Sequence, residues 1–164
     1  MATKTLETLF IDLLKDVYYA ERKILKSLKK MARGAQSEDL AAAFETHREE
    51  TEVHVERLQQ IFEILGKPAR GKTCPAIEGI LEEGDEVLEE FRDSPALDAG
   101  LVAAAQAVEH YEIARYGTLR NWAKLLGQGE VAKILQNTLD EEERTDGLLT
   151  QMAEKSINKA ALAA

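Results

Sequence analysis

Residues 105–119 read AQAVEHYEIARYGTL, an apolar helical pattern with acids at its centre. Apolar side chains recur along and beyond this stretch at three- and four-residue spacing, namely Leu101, Ala105, Val108, Leu119 and Trp122. This spacing is typical of a helix that turns one face into a bundle core. Glu112 interrupts that face, and Glu109 lies one turn earlier on the same side. The stretch therefore predicts a helix with a buried face that is apolar at both ends and acidic in the middle.

Three further segments of the chain repeat this pattern. Each has apolar residues at helical spacing towards both ends, as in Leu6 to Met31, Leu40 to Leu65 and Val131 to Met152. The polar residues in the middle of these faces are Glu21 in the first segment, His47, Glu50, Thr51 and His54 in the second, and Glu142 and Asp146 in the fourth. We expect the Thr51 hydroxyl to bond a backbone carbonyl one turn back.

Turn-forming residues divide the chain into helices at about 4–33, 38–65, 95–127 and 130–155, with a short helix at about 76–91. Ser37 is expected to cap the second helix, and Asp93-Ser94-Pro95 the third long one. The links at Gly34 and Gly127 are short, which makes each helix pair antiparallel neighbours. We predict one all-α domain over residues 1–164, a ferritin-like four-helix up-down bundle with one long crossover that carries the short helix.

The overall composition excludes several classes of protein. The 164 residues include 30 acidic and 21 basic side chains, for a formal net charge of −9. This balance argues against nucleic acid as a partner, and no apolar run is long enough to span a membrane. The single Cys74 excludes a disulfide framework, and no signal peptide is recognisable. We therefore expect a cytoplasmic protein that binds neither nucleic acid nor membrane.

The four polar interruptions lie near the midpoints of their helices. In antiparallel hairpins whose helices have similar lengths, these midpoints lie at the same height along the bundle axis. Six carboxylates and up to two imidazoles would then converge on one layer of the core. An isolated buried carboxylate costs several kcal/mol, so such a layer needs positive charge. Two metal ions would supply it, and oxygen and imidazole ligands suit iron or manganese.

Each residue also has an ordinary structural interpretation. A single glutamate on an apolar face usually lies at the rim or pairs with arginine, and Arg57, Arg115 and Arg144 are available for this. A lone histidine such as His47 is more often a satisfied core residue than a ligand. Glu141 and Glu143 belong to an acidic run that is typical of solvated surface. The whole layer could also be a hydrogen-bonded network that fixes helix register.

Several motifs resemble the YciE/YciF family, ferritin-like bacterial proteins associated with stress responses. The motifs are Tyr18-Tyr19-Ala20-Glu21, His47-Arg48-Glu49-Glu50-Thr51, Arg57-Leu58, Glu109-His110-Tyr111-Glu112-Ile113-Ala114 and Leu139-Asp140-Glu141-Glu142 with Asp146. The resemblance covers nearly the whole chain. It implies a four-helix bundle, a homodimer and a di-iron carboxylate centre.

The ligand spacing departs from the wider superfamily, whose di-iron sites use Glu-x-x-His on two helices. Here the second helix offers Glu50-x-x-x-His54 or His47-x-x-Glu50, and the fourth offers Glu142-x-x-x-Asp146 or Glu143-x-x-Asp146. We assign the ligands as Glu21 and Glu112 or Glu109 (terminal), Glu50 and Glu142 (bridging), and His54 and Asp146 (capping), with His47 and Glu143 as alternatives. Such a site would hold six acids and one imidazole, which makes it unusually rich in hard oxygen ligands and unusually anionic.

The expected function is that of a metal-binding protein with a non-haem di-iron, or di-manganese, centre. If the protein is an enzyme, the reaction is ferroxidase- or peroxidase-type oxidation of ferrous iron by oxygen or peroxide, as a protection against stress. The alternative is a non-catalytic structural or interaction bundle in which the polar layer is a hydrogen-bond network.

Overall fold

The computed structural model describes residues 3–163, and these form helices and connecting turns with no strand among them. The helices are α1 (Leu6–Gly34), α2 (Glu38–Ile64), α3 (Pro75–Glu90), α4 (Leu97–Leu125), α5 (Gly129–Met152), a π-helical segment (Ala153–Ile157) and α6 (Asn158–Ala161). The predicted all-α class is confirmed. Within residues 3–163, no helix is both long and apolar enough to cross a membrane.

The four long helices pack as two hairpins. The links at 35–37 and 126–128 are short, and α1 packs on α2 while α4 packs on α5. The hairpins meet where α1 contacts α4 and α2 contacts α5. Between them the chain crosses the bundle through residues 65–96, and α3 within this crossover lies against α1 and α4.

Two apolar clusters fill the bundle, one towards each end. The first cluster includes Ile24, Leu28, Leu40, Phe44, Leu101, Ala105 and Leu149. The second cluster includes Phe10, Leu14, Leu58, Ile61, Leu119, Val131 and Leu135. On every long helix the two sets meet near mid-height. The polar residues of the sequence pattern lie at or next to that level, so they form a layer between the two apolar clusters.

The helix ends follow the expected capping chemistry with one exception. The side chain of Ser37 accepts a hydrogen bond from the Leu40 backbone N–H, as predicted for the start of α2. The expected cap at Asp93-Ser94-Pro95 is wrong, because α4 begins at Leu97 without a side-chain cap. Asp93 adopts a left-handed conformation with φ 61°, and the chain needs further turn residues before it can enter the helix.

Asp98 in α4 fastens the link between α1 and α2. Its carboxylate oxygens accept hydrogen bonds from the backbone N–H groups of Gln36 and Ser37, at 2.8 Å each, and the side chain is buried. We expect Asp98→Ala to lower the free energy of unfolding by about 3 kcal/mol, because two charge-assisted bonds are lost and two N–H groups lose their acceptors. Chemical denaturation measures this. Asp98→Asn keeps one acceptor and should lose about half as much, whereas an alanine variant as stable as the wild type would contradict the assignment.

Candidate metal centre

Six buried side chains from all four long helices meet in the middle layer. They are Glu21 of α1, His47 and His54 of α2, Glu109 and Glu112 of α4, and Glu142 of α5, and each is at most 5% exposed. His47 and His54 share a helix face because seven residues complete nearly two turns. Glu109 and Glu112 are three residues apart and also share a face.

The six residues form two groups that share Glu142. The first group is His47, Glu109, Glu112 and Glu142, and the second is Glu21, His54 and Glu142. In each group, one nitrogen or carboxylate oxygen from every member lies within 4.8 Å of the others. A shared carboxylate between two such groups is the arrangement required of a ligand that bridges two ions.

The layer is short of hydrogen-bond partners. Ten buried side-chain nitrogen and oxygen atoms in residues 3–163 have none, and eight of them belong to these six residues. Five of the eight still lie in imidazole–carboxylate contacts of 2.7–3.8 Å, whereas Oε2 of Glu109 and both oxygens of Glu112 lie in none. Both oxygens of Glu112 and both of Glu142 are among the eight. Buried polar groups are normally paired, and an unpaired one costs about 1–3 kcal/mol. The donor set therefore fits metal ions, which would turn these free lone pairs into ligands.

His54 is held in one orientation by residues outside the two groups. Its Nε2 lies 2.7 Å from Oε2 of Glu141. The guanidinium of Arg57 donates two hydrogen bonds to the same carboxylate, at 2.6 and 2.9 Å. The other ring nitrogen, Nδ1, consequently faces Glu142 at 2.9 Å and Glu21 at 3.8 Å. Nδ1 is therefore the atom that His54 can offer to a metal.

His47 offers its opposite nitrogen. Nδ1 faces the Thr145 hydroxyl at 3.4 Å, while Nε2 lies 2.7 Å from Glu109 and 3.8 Å from Glu142. The Thr51 hydroxyl donates to the His47 carbonyl at 2.8 Å, which confirms the bond expected from the sequence. Nε2 is thus the atom of His47 that points into the cluster.

Burial and neighbouring charges oppose each other in setting the pKa of the two histidines and act together on that of two glutamates. Burial alone would lower the pKa of His47 and His54, but the adjacent carboxylates raise it to about 10 for His47 and about 11 for His54. Burial and the charge of Glu142 raise the pKa of Glu109 and Glu112 well above the usual range. Without metal, protonated imidazoles therefore supply the countercharge that the acids need.

Tyr116 orients the glutamate of α1. Its hydroxyl donates to Oε1 of Glu21 at 2.9 Å, and the tyrosine is itself almost fully buried. Burial and the charges of Glu21 and Glu112 raise the pKa of Tyr116 well above 10. With Oε1 occupied by this bond, Oε2 of Glu21 is the oxygen left to face the second group.

Three of the residues proposed from the sequence lie outside the two groups. The Glu50 side chain is 31% exposed and sits 3.7 Å from both Arg144 and His47. Asp146 contacts Gln106 and His110 instead, and Glu143 is exposed. The ligand roles proposed for these three residues stay predictions. The structure itself brings together four carboxylates and two imidazoles, a less anionic set than the six acids and one imidazole expected.

Sequence reasoning did not single out Glu141 for the site. It left open whether Tyr116 only packs or donates a hydrogen bond to a carboxylate of the layer, and the structure shows that bond. Glu141 was interpreted as surface, yet it is only 22% exposed and joins His54 to Arg57. A signal was present in each case. Arg57 follows His54 by one helical turn, and Tyr116 follows Glu112 by one turn, so each shares a face with a core polar residue.

Residues 5–162 match the family model described as "Domain of unknown function (DUF892)". Protein YciF of Escherichia coli (strain K12) is 45% identical to this chain over 162 residues, which is 98% of each protein. The crystal structure of the E. coli stress protein YciF superposes with a TM-score of 0.91 over 96% of this chain and 99% of that one. YcfI from Rhodopseudomonas palustris is 46% identical, with a TM-score of 0.87 over 89% of this chain and 93% of that one.

Proposed function

The chain belongs to the DUF892 family, as its resemblance to the YciE/YciF proteins predicted, and we propose that it binds two metal ions, iron or manganese, in its buried middle layer. The group of His47, Glu109 and Glu112 would hold one ion, and Glu21 with His54 the other. Glu142 would contribute to both.

The observation that carries the proposal is a set of three buried carboxylate oxygens, both of Glu112 and Oε2 of Glu109, that have neither a hydrogen-bond partner nor an imidazole contact. A hydrogen-bonded structural network, the alternative function, requires its members to satisfy one another. Here Glu112 leaves both oxygens unpaired in a layer that lies between the two apolar clusters. These atoms favour a metal centre over the hydrogen-bonded network.

Charge and ligand type also favour two ions. Four carboxylates balance two divalent cations, with both imidazoles neutral. Carboxylate and imidazole ligands together suit iron and manganese, whereas a thiolate ligand would favour zinc or copper(I). The one cysteine, Cys74, contacts Tyr111 instead of the cluster.

Bound iron would supply the redox chemistry, and we propose oxidation of ferrous iron by oxygen or peroxide as the reaction. The residues of this chain would do three things for it: hold the ligand atoms in place, limit the access of bulk water from the two ends of the bundle, and fix the ring nitrogens through Glu141 and Thr145. The relative YciF is a stress protein, and we propose a protective role in stress here as well.

Metal analysis of the purified protein tests the proposal directly. Protein purified without chelator, or metal-free protein reconstituted with ferrous iron or manganese and desalted, should contain about two ions per chain. Glu50→Gln should keep both ions, because Glu50 lies outside the two groups. Retention of no metal by the wild type under either condition would overturn the proposal, and loss of an ion in Glu50→Gln would restore Glu50 as a ligand.

Glu141→Gln should weaken metal binding although Glu141 is not a proposed ligand. The amide cannot take both Arg57 contacts and no longer carries the charge that fixes the His54 ring. Loss of such an outer partner typically costs 10–100-fold in metal affinity. Competition with a chromogenic chelator measures this. Glu143→Gln removes the same charge two residues away on the exposed surface and should leave the affinity unchanged; equal affinities for all three proteins would contradict the role of Glu141.

A further inference from the structure

A pocket of about 520 Å³ opens between α2, α4 and α5 and ends at the candidate metal centre. His47 and Glu109, both buried members of the first group, line its inner end. Phe44, Ala105 and Leu149 form its walls. Oε2 of Glu109 is buried and has no hydrogen-bond partner, so the inner end carries an unsatisfied polar atom.

The pocket is larger than a route for ions, oxygen or peroxide alone requires. One water molecule accounts for about 30 Å³ of liquid, and diatomic oxygen is of similar size. Pockets that bind small organic molecules span about 300–1,000 Å³ and are mostly apolar, with a few placed polar groups. The oxygen atoms of Thr46, Glu50 and Thr145 in its lining are polar groups of this kind. The pocket therefore has the character of an organic binding site.

The outer end of the pocket carries the exposed guanidinium of Arg144, and Glu50, which also lines the pocket, is its ion-pair partner. The Arg144 side chain is 65% exposed, and its contact with Glu50 is long, at 3.7 Å. Glu50 also turns an oxygen towards the Thr145 hydroxyl, at 3.5 Å. Arg144 can therefore receive an anionic group at the mouth, and a guanidinium is well matched to a carboxylate.

We propose that this pocket binds a small organic carboxylate, with its anionic group on Arg144, its apolar body along Phe44, Ala105 and Leu149, and its far end beside His47 and Glu109. The inference deepens the proposed function, since the far end of such a ligand would lie next to the metal centre. Occupancy of the pocket itself depends only on residues of this chain.

Hexanoate is a suitable probe, with hexan-1-ol as its uncharged counterpart. Titration by NMR should show millimolar binding of hexanoate to the metal-free and the manganese-loaded protein. Arg144→Gln should weaken hexanoate about fivefold, which is the upper range for one exposed ion pair, and should leave hexan-1-ol unchanged. Arg92→Gln removes an exposed arginine outside the pocket and should change neither ligand. Equal weakening of both ligands, or of neither, would overturn the role of Arg144.

Manganese reports the orientation of the bound probe. In the manganese-loaded protein, paramagnetic relaxation should broaden the terminal methyl signal of hexanoate more than the methylene beside its carboxylate. Broadening in the reverse order would overturn the proposal. If the protein binds no manganese, the proposed metal function fails, but titration of the metal-free protein still decides whether the pocket takes a carboxylate.

Thr46→Trp provides a second variant that should fold, because Thr46 is an exposed residue at the edge of the pocket. The indole should occlude the pocket and abolish hexanoate binding while leaving metal content unchanged. Unaltered hexanoate binding in this variant would place the probe elsewhere and overturn the proposal. Failure of the wild type to bind hexanoate would also overturn it.

Discussion

Metal-free protein should gain about 5 kcal/mol of unfolding free energy when ferrous iron or manganese is added at a hundredfold excess over its dissociation constant, and Glu142→Gln should abolish this gain. One ion bound only to the native state contributes about 2.7 kcal/mol under these conditions, and two sites double it. For a chain of this length the gain corresponds to a rise in Tm of roughly 10–20 °C. Glu142 belongs to both ligand groups, so its conversion to a neutral amide impairs both.

Glu143→Gln is the matched control for this experiment. It removes one carboxylate from the neighbouring position of α5, but Glu143 is exposed and belongs to neither group. Thermal unfolding of each variant is compared with its own metal-free form, because Glu142 also contacts His54 and its loss changes the baseline. A full metal-dependent shift in Glu142→Gln, or the same reduced shift in both variants, would exclude Glu142 as the shared ligand.

The fold class followed from the sequence because apolar spacing reports a buried helix face whatever the details of packing. The polar interruptions near the middle of each helix also indicated where the polar layer lies. In the structure the apolar residues on either side of each interruption form two separate clusters, which leaves the polar residues together between them. The start of α4 was less predictable. Whether Asp93 adopts a left-handed turn is decided by the crossover as a whole, and a local Ser-Pro pattern contains no information about that.

On α2, helical phase separates the residues that reach the centre from those that do not. At 100° per residue, His54 lies about 20° round the helix from His47, whereas Glu50 lies about 60° away. The core-facing line of α2 therefore passes through His47, Thr51 and His54, and leaves Glu50 at the rim. Phase does not account for Asp146 on α5, which is about 40° from Glu142, the same offset as Thr51 from His47, and contacts Gln106. The spacing rule that accepts both three and four residues was too coarse to resolve these offsets.

The role of Glu141 could not be read from its own helix. Its position in an acidic run is equally typical of solvated surface, and only the arrival of Arg57 from α2 converts it into a partner for His54. This is tertiary information. The pairing became possible because Arg57 and His54 share a face of α2 opposite the same point of α5.

The polar layer that fits metal ions lowers the stability of the metal-free fold. Glu112 is fully buried, neither of its oxygens has a hydrogen-bond partner, and its neighbours include two further acids, Glu21 and Glu142. A site selected only for stability would replace such a group with an apolar side chain. Retention of an unsatisfied acid at this position is expected where function requires it, since binding sites commonly sacrifice stability.

Glu112→Met should therefore stabilise the metal-free protein while removing the benefit of metal. Methionine has a similar length and is unbranched, so it can fill the space between the two apolar clusters without the cost of two unpaired oxygens. We expect the free energy of unfolding of the metal-free form to rise by about 2 kcal/mol, within the range seen when buried charged groups are replaced by apolar ones. Denaturant titration with and without manganese measures both effects.

Glu112→Gln separates the two causes of this result. The amide also loses the anionic ligand, so metal stabilisation should fall as in the methionine variant, but it remains polar and unpaired and should give no gain in the metal-free form. The hydrogen-bond network predicts the opposite outcome, because methionine would remove a structural partner and destabilise the protein by several kcal/mol. The sign of the change in metal-free Glu112→Met thus decides whether this layer stabilises the bundle by itself or is a metal site that the bundle supports.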